Sequence, residues 1–295
     1  MPKHWLRLAY CTFSLMLFAC SLPVITPTPE EPPPVVTRVV PTLFPTIAQL
    51  PPTAAPTTDT TQPSDTGWQA GSHGVEVRHF RLPSPLGQQT FPLTVVRFDL
   101  ARVRLRVAYT PEQPLLMRSW MQQRQPLAAI NGSFFSETNA ATALVISDGR
   151  ASGASYEGFG GMLAVDEAGN VQLWALSQRA YDPNEQFSQA LQSFPMLVFP
   201  GGERAPFQDN GDRARRSAVA LDRQGRLLLI VSPTSTLTLT ELGDWLRQSD
   251  MEIERALNLD GGPSTGLFVD AGAQNVQIDS FDAVPIVLLI EANGR

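Results

Sequence analysis

Between Leu22 and Thr66 the chain places 12 prolines and 11 threonines in 45 residues, with only five charged residues among them. Proline fixes φ and removes a backbone donor, so this stretch can neither continue a helix nor sit inside a sheet, and it lacks the side chains for a core. It is expected to be a disordered, extended tether of polyproline type. Folding is thereby confined to residues 67–295, long enough for one large domain with a substantial core.

Ahead of the tether, Lys3 and Arg7 lead into the apolar run "LAYCTFSLMLFA", which is the basic-then-apolar layout of an export signal. The run is too short for a good membrane span. Its end, "LFAC", resembles a lipobox, in which cleavage precedes a cysteine that then carries lipid. The expectation is a signal peptide over residues 1–19, a lipidated Cys20, and a linker to residue 66. Each buried methylene of an acyl chain adds about 0.8 kcal/mol, so several chains on Cys20 would anchor the protein stably. The domain is then expected to be exported and held at the membrane, facing the periplasm or the outside. Cys11 would leave with the signal, and Cys20 alone cannot form a disulfide within one chain.

The net charge is −6, and loss of Lys3 and Arg7 with the signal leaves −8. So acidic a chain is a poor partner for nucleic acid or for a polybasic mode of membrane binding. Zinc chemistry is also disfavoured: the three histidines are His4, His73 and His79, and no cysteine lies beyond Cys20. A hard, oxygen-liganded calcium or magnesium ion at Asp260 is left open, although no cage spacing marks one.

Short apolar runs separated by turn signals dominate the domain. "FPLTVVRFDL", "PLAAIN", "ALVIS", "GMLAVD", "VQLWAL", "MLVF", "SAVALD", "RLLLIVS" and "VPIVLLIEA" read as strands, with hairpin chemistry at Asp148-Gly149, Asp166 to Asn170 and Asp222 to Gly225. "RVRLRVAY", Arg102 to Tyr109, alternates basic and apolar residues and reads as a half-exposed strand with a solvated basic face. Helices are fewer. The clearest runs from Leu239 to Ser249, where Thr238 and Glu241 have capping-box spacing and Leu239, Leu242, Trp245 and Leu246 share one side. Shorter ones are expected over "PLLMRSWMQQR" and "EQFSQALQ". The fold class is α+β: a single mixed, mostly antiparallel β-sheet domain with a few helices.

Three apolar runs border polar, glycine-containing loops. "LAAINGSFF" delivers Asn131, Gly132 and Ser133; "DNGDRARRSAVALD" sets Arg213, Arg215 and Arg216 before a strand; "ALNLDGGPSTGLFV" spends Asn258, Asp260, Ser264 and Thr265 within eight residues. The last contains Gly262-Pro263-Ser264-Thr265-Gly266, which has the letters of a serine nucleophile elbow. That motif needs a following helix and a later histidine. Here the continuation reads as a strand and no histidine follows Ser264. Composition alone leaves a β-turn and a binding site equally open for this segment.

"AAINGSFF", "RRSAVALD", "LTLTELGDWL" and "ALNLDGGPSTGL", in this order, resemble the phosphodiester glycosidase family. The resemblance spans roughly residues 126–290 and departs at Ser133 and Pro263, where the family often has glycine. It implies cleavage of a sugar-1-phosphodiester (a glycosyl phosphodiester or phosphorylated glycan), through an oxocarbenium-like transition state that a carboxylate stabilises or attacks. Asp260 is then the candidate carboxylate, and Arg216 the guanidinium that grips phosphate oxygens. Arg215 should point to the opposite face of its strand. Asn131 would orient the sugar or the carboxylate, as would Asn258. Gly132, Gly261 and Gly262 would let backbone approach the ligand, and Ser264 and Thr265 would donate to it. Phe134 and Phe135 would stack on a sugar or join the core. The alternative is a lipoprotein that binds glycans or teichoic-acid-like polymers without cleaving them.

Overall fold

The computed structural model describes residues 64–87 and 89–294. The export signal, the Cys20 lipid site and the tether as far as residue 63 lie outside the described residues. No helix among the described residues is long and apolar enough to cross a membrane.

Among the described residues, three antiparallel sheets form the domain. The largest has eight strands in the spatial order Gln69–Ala70, Val75–Pro83, Thr90–Phe98, Leu227–Leu237, Ala214–Asp222, Ile253–Asn258, Met196–Phe199 and Glu203–Arg204. A second, of five strands, runs Arg150–Ser152, Val145–Ser147, Phe187–Ser193, Gly161–Asp166 and Val171–Ala175. The third runs Gln274–Ile278, Leu267–Ala271, Ala128–Asn131, Ile286–Ala292 and Val103–Tyr109. With two α-helices, α1 at Met117–Arg124 and α2 at Leu239–Gln248, this is the mostly antiparallel α+β architecture that the turn signals imply.

Alternation along the strands explains how the sheets stack. Val219, Leu229 and Leu257 of the large sheet, Leu163 and Leu191 of the second, and Ile130, Leu267 and Leu288 of the third belong to one core. The opposite face of the large sheet, with Ala218, Ala220 and Ile230, is covered by Leu242 and Leu246 of α2. That helix starts where its capping box dictates: the Glu241 amide donates to the Thr238 hydroxyl at 3.2 Å, and the Thr238 amide to the Glu241 carboxylate at 3.0 Å. On the third sheet Met117 and Trp120 of α1 cover Ala129, Val287 and Leu289.

The strand Val103–Tyr109 is half-exposed as its alternation requires, and its basic face is solvated: Arg104 pairs with Glu291 and Arg106 with Asp148. One element departs from expectation. "EQFSQALQ" forms no helix; Phe187–Ser193 is a strand in the middle of the second sheet. Propensity yields here to pairing on both edges, and the two buried glutamines find partners that a helix would deny them. Gln189 Oε1 accepts from the Val107 amide at 2.9 Å, and Gln192 Oε1 from the Tyr156 amide at 2.8 Å.

Candidate functional site

The ends of Ala128–Asn131, Ala214–Asp222 and Ile253–Asn258 meet, and Asn131 is what joins them. It is fully buried. Its Nδ2 donates to the Asp260 carbonyl at 2.7 Å, while its Oδ1 accepts from the Ser217 hydroxyl at 2.7 Å and the Gly266 amide at 3.1 Å. The amide is therefore spent on positioning the turn that carries Asp260. The Asp260 amide completes the junction by donating to the Gly132 carbonyl at 3.0 Å. Gly132 is required by packing, since a Cβ there would lie 2.4 Å from Cγ2 of Ile286.

Burial raises the pKa of the Asp260 carboxyl above the ordinary carboxylate range, and the nearby Asp282 carboxylate pushes in the same direction. The Ser264 hydroxyl and the Gly261 amide, the latter at 2.9 Å, donate to the carboxylate and hold part of that shift back. Such a group is a weakly solvated base whose proton affinity its surroundings have raised. Ser264 thus serves Asp260. The chain after it forms a short 3-10 turn, Gly262–Ser264, and then the strand Leu267–Ala271, which is not the strand-turn-helix of a serine elbow.

Arg215 and Arg216 lie on opposite faces of their strand, as alternation predicts. Arg216 shares the α2-covered face with Ala218. The Leu259 amide donates to the Ser217 carbonyl at 2.9 Å, so the register of Ala218 with Asn258 continues and sets Arg216 across from Asp260. Its Nε donates to the Leu237 carbonyl at 3.1 Å and its Nη2 to the Asp212 carbonyl. Arg215 lies against the turn itself, its carbonyl oxygen 2.8 Å from where a Cβ on Gly261 would stand. Both guanidiniums are buried, neither forms an ion pair with a carboxylate among the described residues, and burial lowers the pKa of each.

Five buried side-chain atoms among the described residues have no hydrogen-bond partner: Ser133 Oγ, Ser193 Oγ, Arg215 Nη1, Asn258 Oδ1 and Thr265 Oγ1. Ser133, Arg215, Asn258 and Thr265 belong to the segments that meet here or to the loops that follow them, whereas Ser193 ends the strand Phe187–Ser193 of the second sheet; each atom is a desolvated group left uncompensated unless a ligand or water satisfies it. Asn258 is held by Nδ2, which donates to the Phe194 carbonyl at 2.9 Å. Gly262 has φ +59° and open space around its Cα, which leaves backbone accessible at the turn.

An aromatic wall stands beside the junction. Phe194 lies tilted against Phe134 with ring centroids 4.8 Å apart, and Tyr156 and Phe159 extend the group. Phe135 instead packs on the core. A cleft of about 530 Å³ runs on from Phe194 and Phe159 to Phe199, Phe207 and Leu239, with Gln208 and Asn210 as polar groups. No group of three or more His, Cys, Asp or Glu side chains is gathered among the described residues as a metal ion would need. Of the other acidic side chains, Asp148 is engaged by Arg106 and Glu157 is exposed. The sequence named Arg215 only as the residue on the opposite face of its strand, and it gave no role to Asp282 or to the Phe194 wall. Only the Arg215-Arg216 pair carried a signal, and which of the two faces what depends on register.

A β-rich domain here brings together a desolvated carboxylate, two buried arginines without ion pairs and unfilled hydrogen-bonding atoms, groups with the chemistry to hold a polar, anionic ligand. The family model for phosphodiester glycosidase matches residues 124–291, and the chain belongs to that family. In structure it resembles the zebrafish N-acetylglucosamine-1-phosphodiester alpha-N-acetylglucosaminidase catalytic domain, auto-inhibited by its pro-peptide. The identity is 20%, the TM-score 0.59, and the match covers 77% of this chain and 88% of that one. A hypothetical protein from Synechocystis matches at 17% identity and TM-score 0.52, over 74% of this chain and 62% of that one. A sequence comparison with curated proteins finds no match.

Proposed function

We propose that the protein hydrolyses a sugar-1-phosphodiester in envelope or extracellular glycans, at a domain exported and tethered to the membrane through lipid on Cys20. The observation that supports this reading is the convergence of Asp260 with unpartnered buried polar atoms in a member of the phosphodiester glycosidase family. Asp260 acts on the anomeric carbon, as base toward water or as nucleophile. The charge that develops on the departing phosphate falls to Arg216, across the strand pair from Asp260. Asn131 holds the Asp260 turn; Asn258, Gly132, Gly261, Gly262, Ser264 and Thr265 shape and line the site. The basic start, apolar core and "LFAC" of residues 1–20 support export and lipidation, and the proline-rich tract supplies reach.

The purified full chain is expected to release free sugar from a panel of glycosyl phosphodiesters. Asp260→Asn should reduce the rate by several orders of magnitude and Arg216→Ala by about a hundredfold, the scale of one lost electrostatic contact in a transition state. If no member of the panel is cleaved, or if both variants keep the wild-type rate, the assignment is wrong. Saturable binding of a phosphorylated polymer with no new reducing end would identify a binding module instead. Mass spectrometry of the membrane-extracted chain tests the anchor: an acylated N-terminal Cys20 is expected, and an unmodified N-terminus would refute it.

A further inference from the structure

Arg215 is 5% exposed and its hydrogen bonds are incomplete. Nε donates to the Pro233 carbonyl at 3.1 Å and Nη2 to the Asp279 carbonyl at 2.9 Å, while Nη1 is buried with no partner among the described residues. Guanidinium keeps its charge in proteins, so this is a buried cation held only by neutral carbonyls. The carboxylate nearest to it, Asp279, is committed elsewhere. Asp279 Oδ2 pairs with Arg118 at 2.6 Å, and Oδ1 accepts from the Arg118 and Ser280 amides at 3.1 Å each. Arg78, equally buried, shows the usual solution, since both Asp65 and Asp250 neutralise it.

Phe281 lies over the Arg215 guanidinium at 4.0 Å and is itself 73% exposed. A stacked ring covers the face of a guanidinium and leaves its in-plane N–H groups free to meet partners at its edge. The arrangement is fixed to the turn of Asp260: the Phe281 amide donates to the Pro263 carbonyl at 2.7 Å, and the Arg215 carbonyl abuts Gly261. A buried charge without a counter-ion is costly to keep, and an anion bound here would supply what is missing.

We propose that Arg215, capped by Phe281, is a second phosphate-holding residue of the site, with the free Nη1–H as the donor for a phosphate oxygen. This rests on the reaction proposed above. When the anomeric C–O bond breaks, its electron pair stays with the phosphate oxygen and the diester monoanion becomes a phosphomonoester dianion. Water supplies the oxygen that bonds to the anomeric carbon, and its proton passes to Asp260 or to solvent. The added negative charge forms within reach of a guanidinium that cannot lose its proton. The contact therefore strengthens as the bond breaks.

The test uses the full chain with inorganic phosphate as probe, by titration calorimetry, alongside hydrolysis of alkyl and aryl phosphodiesters of one sugar. Arg215→Lys keeps the charge and loses the planar fork; Phe281→Ala removes an exposed ring and should fold. Phosphate binding is expected to weaken at least tenfold in Arg215→Lys and severalfold in Phe281→Ala. kcat should fall more than KM rises, and more for the alkyl leaving group, whose phosphate oxygen carries more charge. Should Arg215→Lys not fold, Phe281→Ala decides alone. Wild-type phosphate affinity in the folded variants, or equal losses for alkyl and aryl substrates, overturns the inference while the hydrolase reading stands. Phosphate binding that depends on Arg215 in a protein that cleaves no phosphodiester would sink the hydrolase reading and leave the anion site.

Discussion

Asn131→Asp is the sharpest test of how the junction is built, because it changes one atom and leaves the shape. In the wild type Nδ2 donates to the Asp260 carbonyl at 2.7 Å and Oδ1 accepts from Ser217 and Gly266. An ionised carboxylate at this position keeps both acceptor contacts but turns an oxygen toward the Asp260 carbonyl, so a bond becomes a repulsion. Leaving that carbonyl unsatisfied costs about 1–3 kcal/mol, and a buried carboxylate without a counter-ion raises the loss to about 2–4 kcal/mol at neutral pH. The two donors to Oδ1 favour the anion, but complete burial and the facing carbonyl oppose it, and burial dominates. The folded-state pKa of the introduced carboxyl is then raised above the unfolded value of about 3.9. The sign follows from proton uptake: the folded variant binds the proton more tightly, so its stability is retained below the unfolded pKa and lost as pH rises through the folded pKa. Once protonated, the carboxyl donates to the Asp260 carbonyl as the amide did, and the deficit shrinks to about 1 kcal/mol or less. At roughly 2–4 °C per kcal/mol for a domain of this size, thermal unfolding followed by circular dichroism should show a Tm about 4–16 °C below wild type at neutral pH. The gap should close on acidification toward the unfolded pKa of about 3.9, with wild type and variant compared at each pH. A variant as stable as wild type at neutral pH, or a gap independent of pH, would refute the inward role given to Asn131.

Two further outcomes follow from the same junction. Asp260→Asn should abolish hydrolysis yet raise Tm at neutral pH, because the raised carboxyl pKa means that ionised Asp260 costs stability there; the gain should fade as pH falls through that pKa, and an equal or lower Tm at neutral pH would contradict it. Gly132→Ala should cost about 1–3 kcal/mol by overpacking against Ile286 and shift the Asp260 turn, seen as lowered Tm together with lowered kcat; a variant with wild-type Tm would show that the backbone yields freely.

The fold was legible where local chemistry and global pairing agree. Alternation that is strict at the start of Arg102 to Tyr109 and the Thr238-Glu241 capping box each produced the element they imply, because each signal is complete within a few residues. It was illegible in "EQFSQALQ", whose residues are indifferent between helix and strand until both neighbours pair with it. The site divides in the same way. Asp260, Asn131 and Asn258 stood out as polar residues closing apolar runs; Asn131 bonds the Asp260 carbonyl, while Asn258 bonds the Phe194 carbonyl. That Asn131 faces inward, that Arg215 lacks a carboxylate and that Asp282 stands near Asp260 depend on contacts between segments distant in the chain, which no local pattern records.

The charge of the molecule and the charge of the site run opposite ways, and this separates steering from catalysis. A chain of net charge −6 repels a phosphorylated glycan at long range, so encounter gains nothing from the overall field. Salt screens that repulsion within about 10 Å, whereas Arg215 and Arg216 are buried and act where screening is weak. Their carbonyl partners fix the guanidiniums in place without neutralising them, so in the proposed reaction no ion pair would have to break for phosphate to bind. Asp260 is arranged with the same logic and the other sign: it keeps two donors, yet burial and Asp282 raise its affinity for a proton. A base and cations that are not ion-paired with one another can each hold the perturbed state its task needs. An ion pair between Arg216 and Asp260 would be the more stable arrangement, and it would leave both groups ill-suited to act on a glycosyl phosphodiester.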